Sequence, residues 1–204
     1  MQTILNTPDD PAHDSLVEKK SEFIGDAAHV DTLDEALAFV AAIREQHPKA
    51  RHVAYAAVCG GADGRLSERM SDDGEPSGTA GKPILDVLKQ SGTTDCVVAV
   101  TRYFGGILLG SGGLIRAYST GASIAVKAAN KAKIVPCCEY QVTLDYPQLG
   151  SFQNLLASVD GEQADAQYTD RIVLSIIVPQ EQSQKFKSRI IETFNATVTP
   201  RQTG

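Results

Sequence analysis

The chain has 204 residues, 42% of them hydrophobic and 22% charged, with a net charge of −6; that composition fits a globular protein of one large or two small domains. Its acidic balance excludes indiscriminate nucleic-acid binding, which depends on many Lys and Arg over phosphates, but leaves room for a local basic patch. No apolar run approaches the ~20 residues that cross a bilayer, and the start MQTILNTPDDPAHD lacks the basic and apolar regions of a secretory signal, so a cytoplasmic protein with no membrane contact is expected.

In chain order, residues 1–14 carry two prolines and three aspartates and read as a mobile tail. Strand-like runs follow at 15–19 and 23–30. Thr32-Leu-Asp-Glu35 is a capping box that opens a helix with Leu33, Leu37, Val40, Ala41 and Ile43 on its apolar side and Pro48 as its stop. HVAYAAVC (52–59) reads as a strand buried on both faces, and the turn residues 60–64 lead to a short strand near 66–70. A polar loop, 71–78, precedes a helix marked by Ile84, Leu85 and Leu88 and stopped by Gly92. CVVAVTRYF (96–104) is a central strand by its β-branched content, and a long apolar-striped helix then runs to about residue 130, with early glycines that would admit a neighbouring backbone.

Pro136 and the Cys137-Cys138 pair mark a boundary. Beyond it come a strand (139–145), a helix opened by Pro147, two strands (163–169 and 171–178), a helix striped by Phe186, Ile190, Ile191 and Phe194, and a closing strand at 196–200. That is β-α-β-β-α-β, the ferredoxin-like order. The expected organisation is a tail (1–14), a first domain (15–136) and a ferredoxin-like domain (137–204).

Ten of the seventeen glycines fall in residues 71–121, among Asp72, Asp73, Glu75, Lys82, Arg102, Tyr103 and Arg116. Several familiar chemistries do not fit this segment. Gly78-Thr-Ala-Gly81-Lys82-Pro83 has Pro76 and Pro83 where a phosphate-binding loop needs Gly and a Ser or Thr for Mg²⁺. Gly110-Ser-Gly112-Gly113 has Ile115 at the last glycine of a dinucleotide fingerprint. Ser71, Ser77, Ser111 and Ser119 lack a nucleophile elbow. The four His and four Cys have no zinc spacing, and no cofactor is expected. What remains is an anion or nucleic-acid surface: Lys82 near a helix start, Arg102 and Tyr103 at a strand end, Gly105, Gly106, Gly110, Gly112 and Gly113 exposing backbone N–H groups, and Arg116 one turn into the next helix. Arg102 reads equally well as half of a structural ion pair with Asp72 or Asp73. The carboxylates Asp72, Asp73 and Glu75 form an acidic recognition loop, a cation site, or turn caps with Glu75 paired to a basic side chain.

SDDGEPSGTAGKPIL followed by VVAVTRYFGGILLGSGGLIRAY resembles the signature of the IMPACT family, including its bacterial YigZ-type members. The likeness extends weakly to RHVAYAAV and VEKKSEFI, where Glu22 replaces an expected basic residue. The resemblance implies an α+β chain. Its first domain would share the β-α fold of a small-subunit ribosomal protein and of elongation factor G domain IV, and the second would be ferredoxin-like, as in that factor's last domain. It further implies a non-enzymatic role in translation or its stress response, with RNA or the ribosome as partner. With residues 1–14 before the first expected strand, the N-terminal partner-binding domain through which eukaryotic relatives reach an initiation-factor kinase is not expected here. Two alternatives stand beside this reading: a divalent-cation-dependent hydrolase built on Asp72, Asp73 and Glu75, and a protein-interaction module. The sequence is silent on oligomeric state.

Overall fold

A computed structural model describes residues 1–60 and 65–203 and divides the chain into two compact units, Met1–Ile134 and Val135–Gly204. The elements of the first unit are β1 (Gln2–Ile4), β2 (Ala12–Glu18), β3 (Ser21–His29), α1 (Leu33–Gln46), β4 (His52–Gly60), β5 (Leu66–Ser71), α2 (Gly81–Ser91), β6 (Thr93–Thr94), β7 (Cys96–Tyr103), α3 (Gly110–Ala128) and β8 (Lys131–Lys133). Five of the strands form a sheet in the order β2-β3-β7-β4-β5, antiparallel throughout. The turn expected at 60–64 lies largely outside the described residues.

Helices cover both faces of this sheet, which is why β4 and β7 read as unbroken apolar runs rather than alternating ones. Residues 97 and 99 of β7 face α1 with Phe39, Val40 and Ile43, while 98 and 100 face α2 and α3 with Ile84, Leu88 and Tyr118. Thr32 caps α1 as expected, its hydroxyl accepting from the Glu35 N–H at 3.2 Å; the Glu35 carboxylate reaches one residue further back, to the Asp31 N–H at 2.9 Å. Gly92 ends α2 in the left-handed region at φ 62°.

The expectation of a mobile tail is corrected. β1 lies between β6 and β8 in a second small sheet, Ile4 is fully buried, and β2 begins at Ala12. The partners of β1 are some ninety or more residues away in sequence (Gln2 against Thr93 and Lys133), so local periodicity could not reveal them. The close approach expected of the early α3 glycines is displaced too. A Cβ on Gly112 would meet nothing, whereas one on Gly25 would strike the Gly121 carbonyl, so the helix presses on the sheet in its middle.

The second unit comprises β9 (Cys137–Leu144), α4 (Leu149–Ala157), β10 (Glu162–Tyr168), β11 (Ile172–Pro179), α5 (Ser183–Thr193) and β12 (Arg201–Gln202). Its sheet order β10-β11-β9-β12 is that of the ferredoxin-like fold. Ile172, Leu174, Ile176 and Val178 alternate inward from β11 onto Phe152, Leu156, Phe186 and Ile190. The closing strand falls at Arg201–Gln202, beyond the 196–200 expected, because Asn195 and Ala196 take positive φ and turn the chain after α5.

Candidate functional site

The glycine-rich segment forms one end of the first unit. α2 follows β5 and α3 follows β7, two strands that run in the same direction within the antiparallel sheet, so both helices start at this end. The loop 72–80 and the loop 104–109 lie over the last residues of β7, joined by a buried network. Arg102 Nη1 donates to Glu75 Oε1 at 2.7 Å, and the Tyr118 hydroxyl of α3 donates to the same oxygen at 2.8 Å. The Arg102 side chain is 7% exposed and that of Glu75 4%. Its guanidinium carbon sits 5.5 Å from the Phe23 ring centroid and 5.4 Å from that of Phe104, a cation held between two rings. Burial, and then the hydrogen bond to Glu75, raise the Tyr118 hydroxyl far above its ordinary pKa, so it stays a donor.

The carboxylates of the loop do three separate jobs. Asp72 accepts from the N–H groups of Gly78, Ala80 and Gly81 at 2.8–2.9 Å, serving the start of α2 from outside its N-cap position. Burial pushes its carboxyl up, but these three donors outweigh that and hold it below the ordinary value. Asp73 pairs with Arg44 at 2.8 Å and accepts from the Val53 N–H at 2.6 Å. Glu75 is buried with Arg102 and Tyr118. Of the three readings of this loop, the structure matches the turn caps with Glu75 paired to a basic side chain. Carboxylates this close in sequence repel one another, and each has been drawn to its own donors. Among the described residues no group of three or more His, Cys, Asp or Glu is arranged to hold a metal ion.

The candidate cations also separate. Arg102 is buried, with Glu75 rather than Asp72 or Asp73 as its partner; its Nε finds no acceptor among the described residues. Lys82 is exposed but pairs with Asp86 one turn along α2. Tyr103 faces away from Arg102, as strand alternation requires, and its hydroxyl meets His47 Nδ1 at 3.0 Å on the α1 side. Neither Lys82 nor Tyr103 joins the α3 start. Arg116 is exposed, forms no ion pair among the described residues, and lines a cleft of about 140 Å³ with Leu16, Glu18 and Gly113.

The glycines do converge. Gly105 lies against the Lys20 backbone at the β2–β3 turn, where a Cβ would collide with the Lys20 carbonyl, and its N–H donates to Ser21 Oγ at 3.2 Å. Gly106 and Gly110 take φ of 85° and 71°, a region side chains disfavour. Between them stand Ile107 and Leu108, 42% and 81% exposed, beside the 44%-exposed Phe104. α3 starts at Gly110 with no side-chain cap, so the N–H groups of Gly110, Ser111 and Gly112 have no partner within the helix at the positive end of its 19 residues. The result is a tip of bare backbone donors, one aromatic face, two aliphatic side chains and Arg116. Sequence reasoning missed Tyr118 and Phe23; the signal for Tyr118 was a hydroxyl on the apolar stripe of α3, which demands a buried partner.

Comparisons with known proteins bear on this architecture. The Impact N-terminal domain model matches residues 19–126, and a domain of unknown function, DUF1949, matches residues 142–197. The IMPACT family member YigZ of Escherichia coli K12 is 39% identical over 174 residues, 85% of each chain. The family member YvyE of Bacillus subtilis is 36% identical over 183 residues, 90% of this chain and 83% of its own. A solved structure titled as a hypothetical protein superposes with a TM-score of 0.65 at 34% identity, covering all of this chain and 97% of the other. That of the two-domain translational regulator Yih1 reaches only 0.40, over 58% of this chain and 47% of its own at 25% identity, too little to argue from. The first unit carries the family's N-terminal domain and the second its small C-terminal one: the chain belongs to the IMPACT family.

Proposed function

We propose that this protein is a cytoplasmic, non-enzymatic factor that binds an RNA or ribosomal surface and adjusts translation. The observation that carries the reading is the tip: the uncapped α3 start beside the exposed Phe104, Ile107 and Leu108. Free helix-start N–H groups and Arg116 suit phosphate oxygens, while Phe104, with Arg102 beneath its ring, offers a stacking face to an unpaired base. The bare glycine backbone lets a strand come close. Arg102 and Glu75 then act by holding the two loops together from below rather than by touching the ligand. Membership of the IMPACT family is consistent with a role around translation.

Pelleting the purified protein with ribosomes through a sucrose cushion tests the reading. Saturable co-sedimentation at low salt is expected. Protein that stays in the supernatant at every ribosome concentration would remove the reading and favour a protein partner.

A further inference from the structure

The far end of the first unit carries a cationic feature of its own. α3 spans 19 residues, so its last turn lies about 28 Å from the tip. There, two shallow clefts of about 310 and 440 Å³ share Ser91 and Lys131, making one continuous concavity. Lys127, Lys131 and Lys133 stand along it with Gln90, Ser91 and Ser123, and no Asp or Glu lines either cleft. All three lysines are exposed, and none forms an ion pair among the described residues. The acids that α2 and β5 carry are engaged elsewhere, Asp86 with Lys82 and Glu68 with Lys89. Lys127 has a structural duty at the carbonyl end of α3, whereas the Lys131 and Lys133 side chains on β8 make no ion pair among the described residues.

These cations stand out because their surroundings are not basic: the first unit holds 14 Lys and Arg against 17 Asp and Glu. Lys131 and Lys133 are two residues apart on a strand, on one face and about 6.6 Å apart, close to the step between neighbouring phosphates of a single strand. The concavity is also longer than one phosphate group. The three lysines lie just past the segment that the family's N-terminal model matches, 19–126.

We propose that this concavity is a second RNA contact, a track for the backbone of a single strand, with Lys127, Lys131 and Lys133 on successive phosphates and Ser91, Ser123 and Gln90 on sugar hydroxyls. It rests on the reading above in taking RNA as the partner, but it is a separate surface from the tip. It gives the first unit two RNA-contacting ends.

The test is fluorescence anisotropy with a labelled 20-nucleotide oligouridylate and the full chain. Wild type is compared with Lys127→Gln/Lys131→Gln/Lys133→Gln and with the equally neutralised control Lys49→Gln/Arg51→Gln/Lys185→Gln. Three phosphate contacts on a single strand add about 2.1 to the slope of log affinity against log salt, an ~18-fold loss between 50 and 200 mM. Wild type and control should show that component, and the groove variant should bind more weakly at 50 mM and lack it. Equal affinity and slope for wild type and groove variant, an equal loss in the control, or no binding by wild type would each overturn the groove. Ribosome pelleting that persists in any of those cases would show that the tip reading stands without it.

Discussion

Replacing Arg102 by Met should destabilise the first unit more than almost any other single change at this end of the protein. Arg102 and Glu75 are more than nine-tenths buried and joined at 2.7 Å, so removing the guanidinium strands a carboxylate left, among the described residues, with the Tyr118 hydroxyl as its donor. Breaking such a pair from one side costs ~3–5 kcal/mol, whereas replacing both partners with apolar groups of similar volume is near neutral. For a unit of this size that is roughly 10–15 °C in Tm. The assay is urea and thermal unfolding of four proteins: wild type, Arg102→Met, Glu75→Leu and the double variant. The double variant should recover most of the stability lost in either single one, so that the two single losses together far exceed the loss in the double variant. A loss below ~1 kcal/mol in Arg102→Met, the range of an exposed pair, would refute the buried clamp. So would simple additivity in the double variant.

Tyr118→Phe removes a buried donor to Glu75 and should cost ~1.5–3 kcal/mol, read by urea unfolding, without changing the exposed tip. Asp72→Ala exposes the start of α2 and should cost ~1–2 kcal/mol at pH 7. Because the folded-state carboxyl of Asp72 is depressed, its contribution is present above its unfolded value near 3.9 and disappears as pH falls through the lower folded value. The gap between variant and wild type should therefore close on acidification, and a gap that widens would contradict the assignment. At pH 8 a thiol reagent should modify the exposed Cys137 in the native protein and leave Cys59 and Cys96 untouched until unfolding. Both of the latter are buried, with the Cys59 thiol pushed up to about 11 by burial and the nearby carboxylate of Asp95; mass spectrometry of the labelled peptides decides.

Elements whose pattern is local were legible in the sequence. The strand-like run IVLSIIV, the doubly apolar HVAYAAVC and CVVAVTRYF, and the Thr32 and Gly92 caps each reflect a local rule, and each stands in the fold. β1 was not legible, because a three-residue strand is defined by distant partners at Thr93 and Lys131–Lys133. In the candidate site, residue types were visible but assignments were not. Nothing in SDDGEPSGTAGK says which of three carboxylates meets Arg102, since the answer depends on how the loop folds back over β7 and on Tyr118, 43 residues away from Glu75. Arg102 reads equally as a ligand-facing cation or as half of an ion pair, because a strand end can be open or covered; here Phe23, Phe104 and Tyr118 of α3 surround it and the ion pair is with Glu75. The exposed apolar pair Ile107 and Leu108 was hidden by its neighbours, since an apolar run beside a helix start reads as core until the left-handed glycines on either side turn it outward.

The most direct test of the tip is ribosome pelleting, over a series of salt concentrations, of wild type beside Phe104→Ser/Leu108→Ser/Arg116→Ser. The substituted side chains are all exposed, so the fold should survive, as circular dichroism would verify. The account predicts that wild type pellets saturably and is released as salt rises, while the tip variant stays in the supernatant. A variant that pellets like wild type, with the same salt dependence, would contradict it.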